Sequence, residues 1–420
     1  MENDEWEVIK WFPLLRNNSS LSSSYSLNAN EIPFILNKRV IFLGTSTGWR
    51  YEYFTKSIQE SHPDWSIHLV EYDSFLKNKN NLTDIIKKGD IFRIETPEMN
   101  FEVDKQIFIR GYPYVKEEGF WCLSSEEINA LQFDKGRILP FRQWYMGYCD
   151  VLNTVSTQLA NCHPHALFLF PHEIIRTFDK TYCNNLFTQN NVPTPQLLPK
   201  FREYDALITY LYNNHIDRAF VKPQNGSSAS GIIILQVNPR TNQYLAQSTI
   251  EMDKKRDEIR FYNNKKLQIY NKSEDIEKIV NFVLQNNGHI EKGFPKARLD
   301  DKLFDLRIVV IAGVARHTAV RLSYHALTNL HLTNMRGDFQ DVYVILGEEK
   351  WNKIKNSCEK AASLFSNAFY SGLDVGISPD ISSHTFFEIN AFGDLLKRIK
   401  FAGMDTYSSE IREIERSHMQ

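Results

Sequence analysis

The sequence predicts an α/β domain built on a parallel sheet, followed by an α+β region. Three observations carry this. Residues 39–43 (RVIFL) and 66–72 (SIHLVEY) are strand-like runs separated by a glycine-bearing turn and a helical stretch, the order of a parallel βαβ unit. Beyond Pro195 the chain returns directly on itself, with 218–222 answered by 232–237 and 305–313 by 315–323. A last pair of strands, 372–377 and 385–389, follows a helix over 348–367.

Each element has a local reason. Residues 17–30 are rich in Ser and Asn without periodicity, so 1–38 is expected to be a flexible lead-in. The front domain then runs over 39–160. After its first strand, GTSTGW lacks the spaced triple glycine of a dinucleotide fingerprint and reads as a tight turn, with a helix from about Arg50. An amphipathic helix is expected over 141–159, and a short strand over 166–170 precedes Pro171. The next helix begins near Phe178 with Thr177 as its cap. It stops at Asn190-Asn191, because Val192-Pro193-Thr194-Pro195 forces an extended chain. A further helix is expected over 273–286. No internal repeat is present.

Composition narrows the function. The 420 residues are 42% hydrophobic and 24% charged, enough for two or three domains with filled cores. Aromatic residues make up 13%, which suits core packing and equally adenine or peptide recognition. The formal net charge of −2, without a basic stripe, argues against nucleic acid or an anionic membrane as partner. Five widely spaced cysteines without C-x-x-C fit a reducing cytosol better than a disulfide framework or zinc knuckle. The acidic start MENDEWEVIKW is no signal peptide, and no apolar run reaches the roughly 20 residues a membrane span needs. A cytoplasmic protein is expected.

Several constellations are candidates for chemistry. In Phe387-Glu388-Ile389-Asn390 the alternation of a strand puts Glu388 and Asn390 on one face. Asp374, in the apolar stretch Gly372-Leu373-Asp374-Val375-Gly376, comes beside Glu388 if a hairpin turns through Pro379-Asp380. Together they read as hard oxygen ligands for Mg²⁺, or else as carboxylates on an edge hairpin. Lys222 ends the strand 218–222 and is followed by Asn225, Gly226, Ser227, Ser228, Ala229, Ser230 and Gly231. That puts a cation beside a loop whose small residues let backbone N–H groups approach phosphate, or it is an ordinary hairpin turn. Lys180, in the first turn of its helix, opposes the dipole and asks for a local anion, unless it is simply solvated. Asp305 and Arg307 share a strand face, with Arg321 on the returning strand. The two guanidiniums suit phosphate or carboxylate, and Asp305 alone can satisfy one of them. Residues 328–338, with His331, read as a loop that positions groups. No G-x-S-x-G motif, Cys/His nucleophile pair or zinc spacing of histidines occurs.

Taken in order, these pieces resemble the ATP-grasp superfamily. The resemblance rests on Asp179-Lys180 opening a helix, Val192-Pro193-Thr194-Pro195, and Val221-Lys222-Pro223 before a serine-glycine loop. It continues through Ile290-Glu291, Asp305-Leu306-Arg307, Asp374, and the E-x-N of Glu388-Ile389-Asn390. It covers about 171–407. RQWYMGY, NGSSASG, LTNLHLTNMRGD and FFEINAFGDLL resemble a bacterial branch of that superfamily, which supplies no substrate. The resemblance implies a front domain of the kind that precedes ATP-grasp modules, then a two-lobed ATP-grasp fold over 161–410. The small lobe would span about 176–290 and the large lobe about 291–410. It also implies roles. Lys180 and Lys222 would contact ATP phosphates under the loop Gly226, Ser227, Ser228, Ser230 and Gly231, and Glu291 would hold adenine or ribose. Asp374, Glu388 and Asn390 would bind Mg²⁺, with Mn²⁺ as a substitute, and Arg307 and Arg321 would neutralise the transferring phosphoryl group. The chain departs from the pattern at Lys292-Gly293-Phe294-Pro295-Lys296, where many members line adenine with apolar residues.

The activity so implied is ligation of a carboxylate to an amine through an acyl phosphate, on a small-molecule or peptide substrate. Two alternatives are a kinase of the same fold acting on a hydroxyl, and a silent nucleotide-binding protein. Oligomeric state is open, with homodimers common in the superfamily.

Overall fold

The computed structural model describes residues 38–97, 100–238, 241, 243–254 and 258–417. The lead-in lies outside them, apart from Lys38. Four parallel strands open the fold: β1 (Arg39–Gly44), β2 (Ser66–Glu71), β3 (Ile91–Ile94) and β4 (Ala166–Leu167), in the order β2-β1-β3-β4. Every residue of β1 after Arg39 is buried, as a parallel strand covered on both faces requires. α1 (Trp49–Ser61) leaves the turn at Gly48 and completes the expected βαβ unit. Three short helices, α2 (Tyr72–Leu76), α3 (Leu82–Ile85) and α5 (Ser125–Ala130), flank the long α4 (Phe101–Glu118) and α6 (Phe141–Cys162).

α4 and α6 cross with their backbones touching. A Cβ built on Gly111 would stand 1.9 Å from the Gln143 carbonyl oxygen, and one on Gly147 would stand 1.8 Å from that of Ile107. Only hydrogen fits at either position. Gly147→Ala is therefore expected to cost about 3 kcal/mol or more by forcing the helices apart. The check is the urea midpoint of unfolding, and an unchanged midpoint would contradict the crossing.

α7 (Pro171–Thr177) ends where the next helix was expected to begin. Thr177 does not cap. Its hydroxyl donates back to the Glu173 and Ile174 carbonyls, while Asp179 accepts from Tyr182 N–H and starts α8 (Lys180–Gln189). After α9 (Tyr204–Asn213) comes an antiparallel sheet of β5 (Arg218–Pro223), β6 (Ile233–Asn238), β7 (Gln243–Asp253), β8 (Arg260–Tyr270) and β9 (Gly288–Lys292). Its order is β8-β7-β6-β5-β9, with α10 (Ser273–Leu284) packed against it. The sequence did not suggest β7 and β8. Edge strand β8, RFYNNKKLQIY, has no fully buried residue and so carries no apolar alternation to read.

The third sheet has the order β13-β12-β11-β14-β15, with β10 (Arg298–Leu299) paired to β11. Its strands are β11 (Lys302–Ile311), β12 (Val314–Ser323), β13 (Met335–Gly337), β14 (Tyr370–Ile377) and β15 (His384–Asn390). α11 (Phe339–Ser363) bends at Gly347, whose φ of 69° is not helical; the helix read from 348 is its second half. α12 (Thr406–Ser417) then returns to α1, placing Tyr407, Ile411 and Ile414 in the core of the parallel sheet.

A charged cluster lies inside that core. Arg93 on β3 is 0% exposed and reaches Glu410 of α12 at 2.8 Å, Asp394 at 2.9 Å and Glu95 at 2.6 Å. The rings of Phe54, Phe168, Tyr370 and Tyr407 surround its guanidinium with centroids 4.4 to 5.1 Å away. Arg50 of α1 joins through Asp394 at 2.6 Å and Glu95 at 3.2 Å, and donates to the Phe392 carbonyl. Burial pushes Glu410 well above the usual carboxylate range. Burial pushes the Glu95 carboxyl up as well, while Arg50 and Arg93 outweigh burial at Asp394 and hold it below its ordinary value.

Candidate active site

β14 and β15 bring the expected oxygen donors together, with Asp374 opposite Glu388 and Asn390 two residues further along β15. Asp374 is already paired. Arg307 grips both its oxygens, with Nη2 to Oδ2 at 3.1 Å, and Arg321 Nη1 reaches Oδ1 at 3.1 Å. Burial raises its carboxyl, but the two guanidiniums outweigh this and hold it below its ordinary value. Arg321 also donates to Asp305 at 2.7 Å, and Asp305 takes Lys296 at 2.9 Å and the Thr328 hydroxyl. The two arginines thus meet as the hairpin implied, each with a carboxylate partner.

Glu388 has a looser setting. Its side chain is 29% exposed and makes one ion pair, to Lys180 Nζ at 3.1 Å. Asn390 donates from Nδ2 to the Gly372 carbonyl at 3.4 Å, which leaves its amide oxygen to act as an acceptor. Among the described residues no group of three or more His, Cys, Asp or Glu could hold a metal by itself. Glu388 and Asn390 fit Mg²⁺, an ion that takes few protein oxygens and completes its shell with water and phosphate. Asp374 fits only if it shares its oxygens with the arginines.

The lysines converge from the other side. Lys222, the penultimate residue of β5, has Nζ 2.6 Å from Glu291 Oε2, and His289 Nε2 lies 2.7 Å from Glu291 Oε1. Burial raises the Glu291 carboxyl, yet Lys222 and His289 hold it down at about 2. This pairing stabilises the fold above the carboxyl's ordinary pKa of 4.5, and the contribution is lost only as the pH falls towards about 2. Glu291 lines the cavity, with Oε2 paired to Lys222 and Oε1 to His289. Lys180 donates to the Gly226 carbonyl while it faces Glu388, tying the loop after β5 to β15.

The base of that loop is fixed and its tip is open. Gln224 donates to both oxygens of Asp179 at 2.8 Å, and Asn225 accepts from Arg142 at 3.2 Å. Ser227 and Ser228 are exposed, and Ser228, Ala229 and Gly231 have positive φ of 54°, 58° and 74°. Left-handed backbone at a serine and an alanine is strained, a feature that clusters where a loop clamps a ligand. At Gly231 a side chain would also meet Pro223 Cγ at 2.8 Å.

Lys180, Lys222, Glu291, Arg307, Arg321, Asp374, Glu388, Asn390 and the loop residues 225–230 border one cavity of about 970 Å³, which runs from β15 and the loop after β5 to the faces of α4 and α6; Gly231 does not line it. The cavity admits residues that the sequence did not single out. Lys296 is buried beneath Phe387, with Nζ 4.8 Å from the ring centroid, and was visible only as the odd residue of KGFPK. Thr328 opens the loop read over 328–338 and acts through Asp305, while His289 stands behind Glu291, outside the cavity lining, and nothing local in the sequence marks it. His331 sits on a 3₁₀ turn (Leu330–Leu332) at the cavity wall.

A parallel α/β domain, followed by two antiparallel sheets that both line the cavity, makes an ATP-grasp fold. The chain is similar in structure to D-cycloserine synthetase DcsG, with a TM-score of 0.50 and 11% identity over 90% of this chain and 99% of that one. D-alanine–D-alanine ligase from Bacillus anthracis, complexed with ATP, gives 0.49 at 10% identity over 92% and 98%. ATP-grasp ligase PsnB, complexed with a variant of its minimal precursor, Mg and ADP, gives 0.49 at 11% identity over 93% and 100%. At these identities the likeness is one of fold. No protein-family model matches the sequence, and no curated protein matches it. No helix among the described residues is long and apolar enough to cross a membrane.

Proposed function

We propose that the protein is an ATP-dependent ligase that activates a carboxylate as its acyl phosphate and joins it to an amine, on a small-molecule or peptide substrate. One observation carries the proposal: Lys180 links the serine-glycine loop to Glu388, so that a cation, a loop of small residues and a hard oxygen donor meet at one point of the cavity. Lys180 and Lys222 would hold the phosphates, and Glu388 and Asn390, with Asp374, would hold Mg²⁺. The ion held by these residues would supply neutralisation of phosphate charge. Arg307 and Arg321 face the same point and would stabilise charge on the transferring group. A carboxylate oxygen attacks the γ-phosphorus, and the bond to the bridging oxygen breaks with release of ADP. The amine then attacks the acyl carbon, phosphate leaves, and the amine's proton passes to solvent. Water exclusion by the 225–231 loop protects the acyl phosphate in between.

The test is ADP release over a panel of carboxylates with hydroxylamine present. Carboxylate-dependent ADP release with hydroxamate formation supports the reading. ADP release that needs a hydroxyl acceptor and yields no hydroxamate would make the protein a kinase, and no turnover with any acceptor would make it a silent nucleotide binder. Lys222→Ala removes a phosphate cation and strands Glu291. It is expected to weaken binding of an ATP analogue by about tenfold and to cost about 1–3 kcal/mol of stability. Calorimetric titration well below the melting temperature reads the first effect, and unchanged affinity would move the phosphate site elsewhere.

A further inference from the structure

Where α4 and α6 line the cavity it carries a charged group, Asp104, to which the proposed function gives no role. α4 turns Phe101, Asp104 and Phe108 to the cavity from one helix face, and α6 adds Phe141 and Trp144. Asp104 accepts a hydrogen bond from Trp144 Nε1 at 2.8 Å on Oδ1, and no cation among the described residues pairs with it. The aromatic wall continues from Trp144 to Phe178, with centroids 6.4 Å apart, and on to Phe392 at 6.1 Å. Phe392 follows Asn390 by two residues. Two ring contacts therefore separate Asp104 from the oxygen donors.

A carboxylate among rings without a counter-ion is costly to ionise, and burial pushes the Asp104 carboxyl up to about 6 even though the Trp144 bond lowers it. That cost disappears if a ligand brings the cation. Ring faces attract cations through their quadrupoles, and a carboxylate at the base of such a recess completes the recognition of an alkylammonium. We infer that the Asp104 recess binds a cationic amine carried by the substrate, on an extended and largely apolar body, away from the carboxylate that reacts. The assignment of this molecule as the ligase's substrate rests on the proposed function. The preference of the recess for a cation does not. An amine held there is recognised and not acylated, because Trp144, Phe178 and Phe392 lie between it and the reacting end.

The probes are phenethylamine and its uncharged analogue phenethyl alcohol, titrated calorimetrically into the full chain at pH 7.5. Wild type is expected to bind the amine about tenfold or more tighter than the alcohol, a preference that fades as the pH falls below about 6 and Asp104 takes a proton. Asp104→Asn keeps the shape and the acceptor for Trp144, and should reduce the preference to about twofold or less. Trp144→Phe should retain it, which separates charge recognition from a merely structural role for the Asp104–Trp144 bond. Unchanged binding of an ATP analogue shows that each variant is folded. Equal affinity for the two probes in wild type, no binding of either, or a preference that survives Asp104→Asn overturns the inference. Failure of the ligase reading appears elsewhere, as magnesium-dependent nucleotide binding that Glu388→Gln does not disturb.

Discussion

Glu388→Gln is expected to abolish ATP turnover, by about 10³-fold or more in kcat, while the protein stays folded. The two halves of this expectation have different origins. The carboxylate makes a single ion pair, to Lys180, and its side chain is partly exposed, so removing its charge costs the fold about 1 kcal/mol or less. Under the proposed function, turnover would depend instead on the oxygen charge that Glu388 sets against Lys180, which glutamine cannot supply. Titration of an ATP analogue with and without Mg²⁺ gives the diagnostic: the wild type should gain affinity with magnesium and the variant should not. Near-normal turnover in Glu388→Gln would refute the metal role. A variant that fails to fold would instead make the Lys180 pair structural.

Arg93→Met should have the largest effect on stability, about 3–5 kcal/mol, because it removes the cation that Glu410 faces and leaves buried Glu95 and Asp394 to share Arg50 alone. Methionine can still fill the space among the four rings, so the loss is electrostatic and not a cavity. Glu410→Gln separates the causes. If Glu410 is the protonated member of the cluster, its amide should fall within about 1 kcal/mol of wild type, since no charge is removed. Chemical denaturation of both variants checks this, and a Glu410→Gln loss as large as that of Arg93→Met would mean that Glu410 is ionised.

Much of the architecture was legible because its signals are local. RVIFL is buried almost throughout, and the alternation of Phe387-Glu388-Ile389-Asn390 places Asn390 and Glu388 as expected, with Asp374 across from them. The hairpin of β11 and β12 was equally plain, since β11 is rich in Val, Ile and Leu and the short turn at Gly313 returns the chain directly onto it. What escaped had no local signature. β8 is an edge strand of mostly polar residues, and the cap of α8 was misplaced by two residues because Thr177 and Asp179 are both good cap residues. The sequence could bring Arg307 and Arg321 together but could not show that both would meet on Asp374, because that contact depends on the register of three strands. The Asp104 recess lay further from reach, since it needs the crossing of α4 and α6 to exist.

The return of α12 to the parallel sheet has a consequence for synthesis on the ribosome. β3 presents Arg93 early, but its partner Glu410 follows 317 residues later. While the intervening chain is being translated, the nascent front domain holds a guanidinium and rings with no carboxylate from residue 410 and no cover from Tyr407, Ile411 and Ile414. Domain-by-domain folding in order of emergence is the ordinary route for proteins of this size. Here it cannot finish the first domain first. The front domain waits, part-assembled, until residues 406–417 have left the exit tunnel.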